Sequence, residues 1–344
     1  TDGYRTRNAN QSTRLGLRTW RDWDSKNSHN RLLLGYDNDG WTQDRDGFSQ
    51  IAQNSYAVYL KHEMVFKPSQ TSLFIGARRT AFDRTGRGGV DGTVNEKNTS
   101  WETGLSQRLG QAHELYLRLG KSFRLPNGDE FLCYPIYGTC PTVTVNMLQV
   151  QQSKDTEFGL KANSSQFAWD LRAYRHELKN EIAIGPDYFS NINLDPTRRQ
   201  GVEVGGKVAV GSKLTVSANM AQRKSTFTQG VYAGKTIPFA PEQTAFASMQ
   251  YRFEPEQLLV FSANWVAEQR ISGDFANTCV EQIPSYSTFD AKYSYSYSRW
   301  TYSAAALNMA NEKYYNVRTR CDASRKSIYP EAGRTFYFSA LMKY

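Results

Sequence analysis

Four cysteines are the residues of this chain best suited to covalent chemistry: Cys133, Cys140, Cys279 and Cys321. Their even number is typical of disulfide bonding in an oxidising compartment, although four cysteines allow three pairings. Six residues separate the first two, and this spacing does not match the usual zinc-binding patterns. Disulfides are therefore the first expectation, with free thiols or a metal site as the alternative.

A basic segment near the end of the chain is the second candidate. It places Arg318, Arg320, Arg325 and Lys326 around Asp322. Guanidinium groups bind carboxylates and phosphates through paired hydrogen bonds. The segment is therefore a candidate for binding an anionic ligand, and the alternative is a solvated loop without a ligand.

Aromatic side chains in segments without strand pattern form a third group, because rigid aromatic faces often anchor ligands. They are Trp41, Tyr134, Tyr137, Tyr188 and Tyr232. The alternative is that they only pack within loops. Tyr134 and Tyr137 rank first, since a disulfide between Cys133 and Cys140 would hold their segment rigid.

Catalytic, cofactor and nucleic-acid chemistry have little support. The four histidines, His29, His62, His113 and His176, show no recognisable Ser/His or metal-ligating spacing. The net charge is +9, but no basic stripe with interleaved aromatic residues is present, which argues against nucleic-acid binding. No cofactor is predicted.

The elements that must position these residues are β-strands. The 344 residues have a mean hydropathy of −0.63 yet include 21 Tyr, 18 Phe and 7 Trp. No apolar run approaches the ~18 residues of a transmembrane helix. Alternation predicts fifteen strands, at 12–20, 31–37, 54–66, 70–82, 99–109, 112–124, 154–163, 166–177, 200–210, 213–225, 243–253, 257–270, 286–298, 300–310 and 334–344.

Each of these strands has one apolar and one polar face. In the last strand, one face carries Phe336, Phe338, Ala340, Met342 and Tyr344. A soluble sandwich also alternates, but it rarely repeats strands of this length so often. Transmembrane strands need about 9–11 residues, apolar towards lipid and polar towards a wet lumen. The pattern therefore predicts an all-β fold, a transmembrane antiparallel β-barrel.

The connections alternate between short and long. The short ones are 67–70, 110–111, 164–166, 211–212, 254–257 and 298–299. The predicted long ones are 38–53, 83–98, 125–153, 178–199, 226–242, 271–285 and 311–333. Short periplasmic turns opposite long outer loops are typical of outer-membrane barrels. If Tyr344 ends on the periplasmic side, all four cysteines and the basic segment lie outside the cell.

Strand parity indicates an incomplete barrel. Single-chain bacterial barrels have an even number of strands, and fifteen strands that begin outside the cell cannot close one. We therefore expect residues 1–344 to form one transmembrane barrel domain whose upstream strands lie outside this chain. A source protein of 39.2 kDa and no more would contradict this expectation.

Several segments resemble TonB-dependent outer-membrane receptors. Ser122 to Glu130 (SFRLPNGDE) resembles the "SFR-x-P…E" segment of that family, and Asp155 to Lys161 resembles its "E-x-G-x-K" strand. Further likenesses are 174–182, 193–203, 233–241, 307–315 and 333–336. Each motif alone is weak, but their order across about 54–344 makes the resemblance strong.

The resemblance implies a barrel of roughly 22 strands filled by an amino-terminal plug. The fifteen strands would be the last fifteen, with the plug and the segment that engages the TonB energy-transducing complex missing from this chain. It also implies import of a scarce metal chelate or cofactor, most of all a ferric siderophore. The basic segment would then attract a carboxylate-rich ferric chelate or contact lipopolysaccharide phosphates. Haem is disfavoured, since Phe123 to Pro126 matches only half of the haem-receptor pattern.

This topology predicts the pairings Cys133–Cys140 and Cys279–Cys321, the second joining neighbouring outer loops. The expected partners are outer-membrane lipid and lipopolysaccharide, the chelate, and the TonB complex. The expected location is the outer membrane of a Gram-negative bacterium. A passive porin and an outer-membrane enzyme are the alternative functions.

Overall fold

A computed structural model describes residues 8–45, 49–88, 90–131, 143–145, 147–185, 190–319 and 327–343. The first nine strands in chain order are β1 (Asn8–Asp24), β2 (Ser28–Arg45), β3 (Ser49–Phe66), β4 (Thr71–Arg87), β5 (Val90–Leu109), β6 (His113–Arg124), β7 (Val143–Thr144), β8 (Gln151–Asn163) and β9 (Phe167–Lys179). One turn of 3-10 helix follows β6 at Gly128–Phe131.

The remaining strands are β10 (Ile182–Ile184), β11 (Asn191–Asn193), β12 (Thr197–Val210), β13 (Leu214–Phe227), β14 (Gln243–Glu254), β15 (Gln257–Val266), β16 (Tyr286–Tyr297), β17 (Trp300–Leu307), β18 (Tyr315–Thr319), β19 (Ser327–Pro330) and β20 (Thr335–Met342). No helix within these described ranges is long and apolar enough to cross a membrane.

One antiparallel sheet dominates the described part of the chain. Fifteen strands pair in chain order, β1 to β6, β8, β9, β12 to β17 and β20. This confirms the predicted number and order of the strands. The connections that were predicted to be short all lie at one end of the sheet. We call the opposite end, which carries the long loops, the outer end.

The first hairpins extend further than predicted. The strands β2 to β5 contain 17–20 residues each, and they pair almost to their tips. The predicted loops 38–53 and 83–98 are therefore wrong, because strand occupies most of both segments. The sequence there is largely polar, with isolated apolar residues such as Ile51 and Val90 that pack against outer loops. Outside lipid no continuous apolar face is needed, so the alternation that predicted the strands disappears while the pairing continues.

The two faces of the sheet differ as predicted. Large apolar side chains are exposed on one face, such as Ile75 (54%), Phe158 (49%) and Phe338 (82%). This is the apolar face. The opposite, polar face of β1 to β12 is laced with ion pairs: Arg31–Asp22 (2.7 Å), Lys61–Glu63 (3.0 Å), Lys161–Glu114 (3.2 Å), Arg172–Glu157 (3.6 Å), and Arg78–Asp37.

The polar face changes character after β12. From β13 to β20 it carries mainly hydroxyl, amide and small side chains, among them Ser217, Asn219, Ser248, Ser262, Asn264, Ser294 and Ser303. Ser294 and Ser303 share a hydrogen bond of 2.9 Å, and Ser296 and Thr301 share one of 3.1 Å. The charges on this stretch are few: Arg223, Arg252, Asp290 and Lys292. The polar face thus has a charged half and a nearly uncharged half.

Aromatic rings on the polar face lie flat against glycines of the neighbouring strand. A Cβ atom at Gly35 would lie 2.1 Å from Tyr59 Cζ, and one at Gly104 would lie 2.3 Å from Phe74 Cε1. The free face of each ring receives a cation: the Arg78 guanidinium lies 5.2 Å from the Tyr59 centroid, and Lys61 Nζ lies 4.9 Å from that of Phe74. Glycine is required at these positions because the ring fills the space of a side chain.

Candidate ligand-binding surface

A first apolar cluster stands at the outer ends of β3 to β5. It consists of Ile51, Val90, Phe131, Val145 and Leu148, all at most 5% exposed. Trp41 packs against it from β2. The predicted ligand-binding Trp41 is therefore on a strand rather than in a loop, and it is partly buried against this first outer cluster.

A second apolar cluster stands above β12 to β15 and consists of Leu194, Phe227, Ile237 and Phe275. Tyr232 packs against it, with ring centroids 5.7 Å from Phe227 and 5.6 Å from Phe275. The ring of Tyr232 thus ties two outer loops together. As with Trp41, the packing role was the alternative that the sequence left open.

The β10–β11 hairpin connects the two clusters. Ile182 packs against the first outer cluster, while Ala183 and Ile192 pack against the second. Successive residues of a strand point to opposite sides, so a short hairpin can contact two cores at once. The hairpin therefore joins the described loop segments that pack in the two clusters.

The segment after β6 is anchored by charged groups. Arg124 Nη1 donates to both Glu130 carboxylate oxygens at 2.9 Å, and the Asn127 amide donates to Glu130 Oε2 at 2.7 Å. From β2, Gln43 Nε2 donates to Asp129 Oδ1 at 2.8 Å. These are the residues of the SFRLPNGDE motif, so the motif encodes a folded turn at the outer end.

Arg84 of β4 holds the same segment from below. It is 1% exposed, and its guanidinium donates to the Pro126 carbonyl oxygen at 2.6 Å and to Gln53 Oε1 at 3.0 Å. The guanidinium also lies 4.8 Å from the Phe131 ring centroid. Burial lowers the pKa of Arg84 to about 10, so the side chain is still a cation at neutral pH. The sequence offered no signal for this contact, because its partners lie on three separate segments.

Hydrogen bonds join three outer loops above β13 to β17. Asn277 Oδ1 accepts from the Thr236 amide at 2.7 Å, while its Nδ2 donates to the Thr236 carbonyl at 2.8 Å. The Ser272 amide donates to the Arg318 carbonyl at 3.0 Å. The loops after β13, β15 and β17 are therefore joined in series.

Arg318 does not lie on an open surface. It is 2% exposed, and its Nη2 atom lies 2.6 Å from Glu281 Oε2, an ion pair without hydrogen-bond geometry. Its charge thus lies between two loops in this structure, and the predicted contact of Arg318 with an anionic ligand stays a prediction. Arg320 and Arg325, with Lys326, lie outside the described residues, and so do Tyr134, Tyr137 and Tyr188.

Cys279 is disulfide-bonded. Its partner lies outside the described residues, as do Cys133, Cys140 and Cys321. The loop that carries Cys279 is tied by Asp274, whose Oδ1 accepts from the Thr278 amide at 2.8 Å. The pairing of the four cysteines stays a prediction.

A tyrosine pair at the outer end was not predicted from the sequence. Tyr286 begins β16 and stacks on Tyr314, with ring centroids 4.2 Å apart. Burial, followed by the nearby Glu331 carboxylate, raises the pKa of both phenols. Alternation places Tyr286 on the polar face with Asp290. A tyrosine 28 residues away could not be assigned to it from the sequence.

Comparison with known proteins assigns this arrangement to a class. The family described as "TonB dependent receptor-like, beta-barrel" matches residues 1–309. The chain is 25% identical over 221 residues to a probable TonB-dependent siderophore receptor, PiuA, of Acinetobacter baumannii. That match covers 59% of this chain and 28% of the relative.

Solved structures share the fold. The ferric-catecholate import receptor Fiu of E. coli K12 superposes with a TM-score of 0.78 at 14% identity, over 97% of this chain and 55% of that one. The ferric citrate transporter FecA gives 0.76 at 13% identity, with shares of 97% and 55%. PiuA of A. baumannii gives 0.75 at 15% identity, with shares of 97% and 56%. The chain spans about half the length of these proteins.

The chain belongs to the TonB-dependent receptor family and forms part of its β-barrel. The barrels of this family are outer-membrane proteins, and its members are receptors and transporters rather than enzymes. The apolar face of the sheet accordingly faces lipid, and the polar face lines the lumen.

Proposed function

We propose that the protein carrying this chain binds a scarce metal chelate, most of all a ferric siderophore, at its outer end and imports it with energy from the TonB complex. It would act in the outer membrane of a Gram-negative bacterium, in contact with lipid and lipopolysaccharide. The observation that carries the proposal is the packing of the described outer-loop segments, which form two apolar clusters and are joined by hydrogen bonds between three loops. Preorganised surfaces bind with less loss of conformational freedom.

The likenesses favour this ligand class. PiuA is described as a probable siderophore receptor, Fiu as a ferric-catecholate import receptor and FecA as a ferric citrate transporter. One further structure with a TM-score of 0.76, OprC, is a copper transporter, so a chelate of another metal is the second member of the class.

A gene-deletion strain tests the ligand class. Growth should fail on one ferric chelate as sole iron source and recover on ferrous iron or with the gene restored. Growth that is unchanged on catecholate, citrate and mixed-type ferric chelates would contradict the iron proposal. If the deletion strain instead grows poorly when copper is limiting, and the restored gene relieves this defect, the chelate carries copper.

We also propose the disulfides Cys133–Cys140 and Cys279–Cys321. The hydrogen bond from Ser272 to Arg318 and the Arg318–Glu281 ion pair hold the two loops of the second pair together. Peptide mapping without reduction should recover Cys279 linked to Cys321. Recovery of Cys279 linked to Cys133 or Cys140 would refute this pairing.

A further inference from the structure

The lumen-lining face of the sheet has two walls that differ in how their charged groups interact. On β1 to β12, the ion-paired wall, cations meet carboxylates of the same or a neighbouring strand, as Lys61 does with Glu63 at 3.0 Å and with Glu102 at 3.7 Å. On β13 to β17 and β20, the sparsely charged wall, no ion pair joins two of the described lumen-facing strand residues. Paired long side chains therefore cover one wall, while the other lacks them.

Short hydroxyl side chains run across the sparsely charged wall in two rows of cross-strand partners. The first row is Ser217, Ser248 and Ser262, and the second is Ser294, Ser303 and Ser339. Apolar side chains also lie on this wall, among them Phe246, Leu258 and Val260. Hydroxyl groups both donate and accept, and their neutral hydrogen bonds are weaker than those to charged groups. A solute can therefore exchange partners along these rows without being held at one place.

Three cations lie along the sparsely charged wall at different depths. Arg223 lies four residues before the outer end of β13. Through the register of β13 to β16, Lys292 is level with Thr215, eight residues and about 26 Å further along the strand direction. Arg252, whose amide donates to the Lys213 carbonyl at 2.8 Å, lies about 33 Å from Arg223 by the same measure. The cations thus mark three levels between the outer end and the short turns.

These three cations keep donors that no carboxylate of the described residues occupies. Lys292 and Arg252 are exposed, and neither forms an ion pair within the described ranges. Arg223 donates from Nη2 to Thr244 Oγ1 at 3.0 Å, while its Nε atom has no hydrogen-bond partner. Their charges are therefore available to a solute in the lumen, unlike those of the ion-paired wall.

The carboxylates of the sparsely charged wall already have partners. Asp290 accepts from the Asn308 amide at 2.8 Å, and Glu254, at a turn, lies 3.9 Å from Lys213. A wall backed by low-dielectric lipid focuses the field of its charges and raises the local concentration of counter-ions. Conduction also requires sites that attract a solute weakly enough to release it. Separate cations with hydroxyl rows between them meet both requirements for an anion.

We infer, on the basis of the import function proposed above, that the solute is an anionic chelate and that it crosses the barrel along the sparsely charged wall. Arg223, Lys292 and Arg252 attract it at successive depths, and the hydroxyl rows form hydrogen bonds with it between these levels. The ion-paired wall does not contribute to the route, because its cations are neutralised by their own carboxylates.

Two matched pairs of serines test the route in cells that express the intact receptor. Ser294 and Ser303 are cross-strand partners on the sparsely charged wall, and Ser72 and Ser106 are cross-strand partners on the ion-paired wall. S294F/S303F should slow the accumulation of iron-55 from the ferric chelate that supports growth several-fold, with binding at the cell surface unchanged. S72F/S106F adds the same volume and should accumulate iron as the wild type does.

Charge variants give a second comparison. R223Q/K292Q removes two cations from the sparsely charged wall and should slow accumulation about threefold or more, because the attraction of each cation for the anion is lost. The control K213Q/K224Q removes two cations outside the route and should have no effect. Lys224 is adjacent to Arg223 on β13 but lies on the lipid-facing side, and Lys213 lies in a turn.

Surface binding of the chelate shows that each variant is folded and in the membrane. If a double variant does not reach the membrane, S303F and K292Q alone decide. Equal losses in the two serine variants, a larger loss in S72F/S106F, or unchanged accumulation in R223Q/K292Q would overturn the inference. A wild type that binds no ferric chelate at the cell surface would instead contradict the proposed function, and the route with it.

Discussion

Several residues at the outer end pack against other segments of the protein rather than lie exposed on its surface. Trp41, Tyr232 and Arg318 were all predicted to face a ligand, and each packs against another segment. Their residue types were informative, because buried aromatics and arginines join segments as well as they bind ligands. Their orientation was not predictable, since it depends on contacts between loops that are distant in the sequence.

Arg84 provides a test at this scale. Replacing it with Met keeps most of the volume but removes the donors to Pro126 O and Gln53 Oε1. An orphaned buried acceptor costs about 1–3 kcal/mol. Amide hydrogen exchange in residues 127–131 should therefore accelerate about tenfold or more. The exchange rate in Arg84→Lys should lie between those of the wild type and Arg84→Met. An unchanged exchange rate in Arg84→Met would show that the segment is held by other contacts.

The tyrosine pair predicts a dependence on alkaline pH. The pKa values of Tyr286 and Tyr314 are raised above the usual 10, mainly by burial. The folded state then holds these protons more tightly than the unfolded state does. Their contribution to stability is complete below pH 10 and is lost as the pH rises through the folded-state pKa values.

Ultraviolet titration measures this directly. The difference between wild type and Y286F/Y314F should show two phenols that ionise above pH 10, later than exposed tyrosines. Ionisation of the pair at or below pH 10 would contradict burial as the cause.

At the scale of elements, strands were predictable where a lipid-facing side enforces alternation. The fifteen strands and six of their short turns were predicted from the sequence, while the turn between β1 and β2 and the outer halves of β2 to β5 were missed. Outside the membrane neither face has to be continuously apolar, so residues such as Asp37, Asn38 and Asp39 carry no sign of pairing. The aromatic–glycine contacts between strands could not be predicted either, because they depend on the register of strand pairing.

Gly35 tests those contacts. An alanine there would place its Cβ 2.1 Å from Tyr59 Cζ, so the ring must move and lose its hydrogen bond with Arg18 Nε at 2.9 Å. Overpacking of this kind costs about 1–3 kcal/mol. The heat-induced shift in electrophoretic mobility should therefore occur at a lower temperature in Gly35→Ala.

Gly206 supplies the matched control. The nearest atom to a Cβ there is Trp169 Cβ at 3.7 Å, an ordinary contact. Gly206→Ala should leave the transition unchanged or raise it, since glycine weakens a strand interior. Equal losses in both variants would show that glycine matters for another reason than space for the ring.

At the scale of the whole molecule, the surfaces differ in chemical character and in what they contact. An apolar face meets lipid, the polar face has a charged and a nearly uncharged half, and described segments of the outer loops pack against one another at the outer end. The sequence predicted the barrel, because the fold follows from alternation and loop length, and the orientation of its two ends stays a prediction. It could not show which outer residues meet a ligand, because those positions depend on how segments distant in the sequence fold together.

The central proposal is energised import of a chelate, and uptake of iron-55 tests it most directly. Cells expressing the intact receptor are compared with and without a functional TonB complex, using the ferric chelate that supports growth. Binding at the cell surface should be equal, while accumulation inside should fall to the level of the deletion strain when TonB is absent. Equal accumulation in both strains would contradict the account and favour a passive channel.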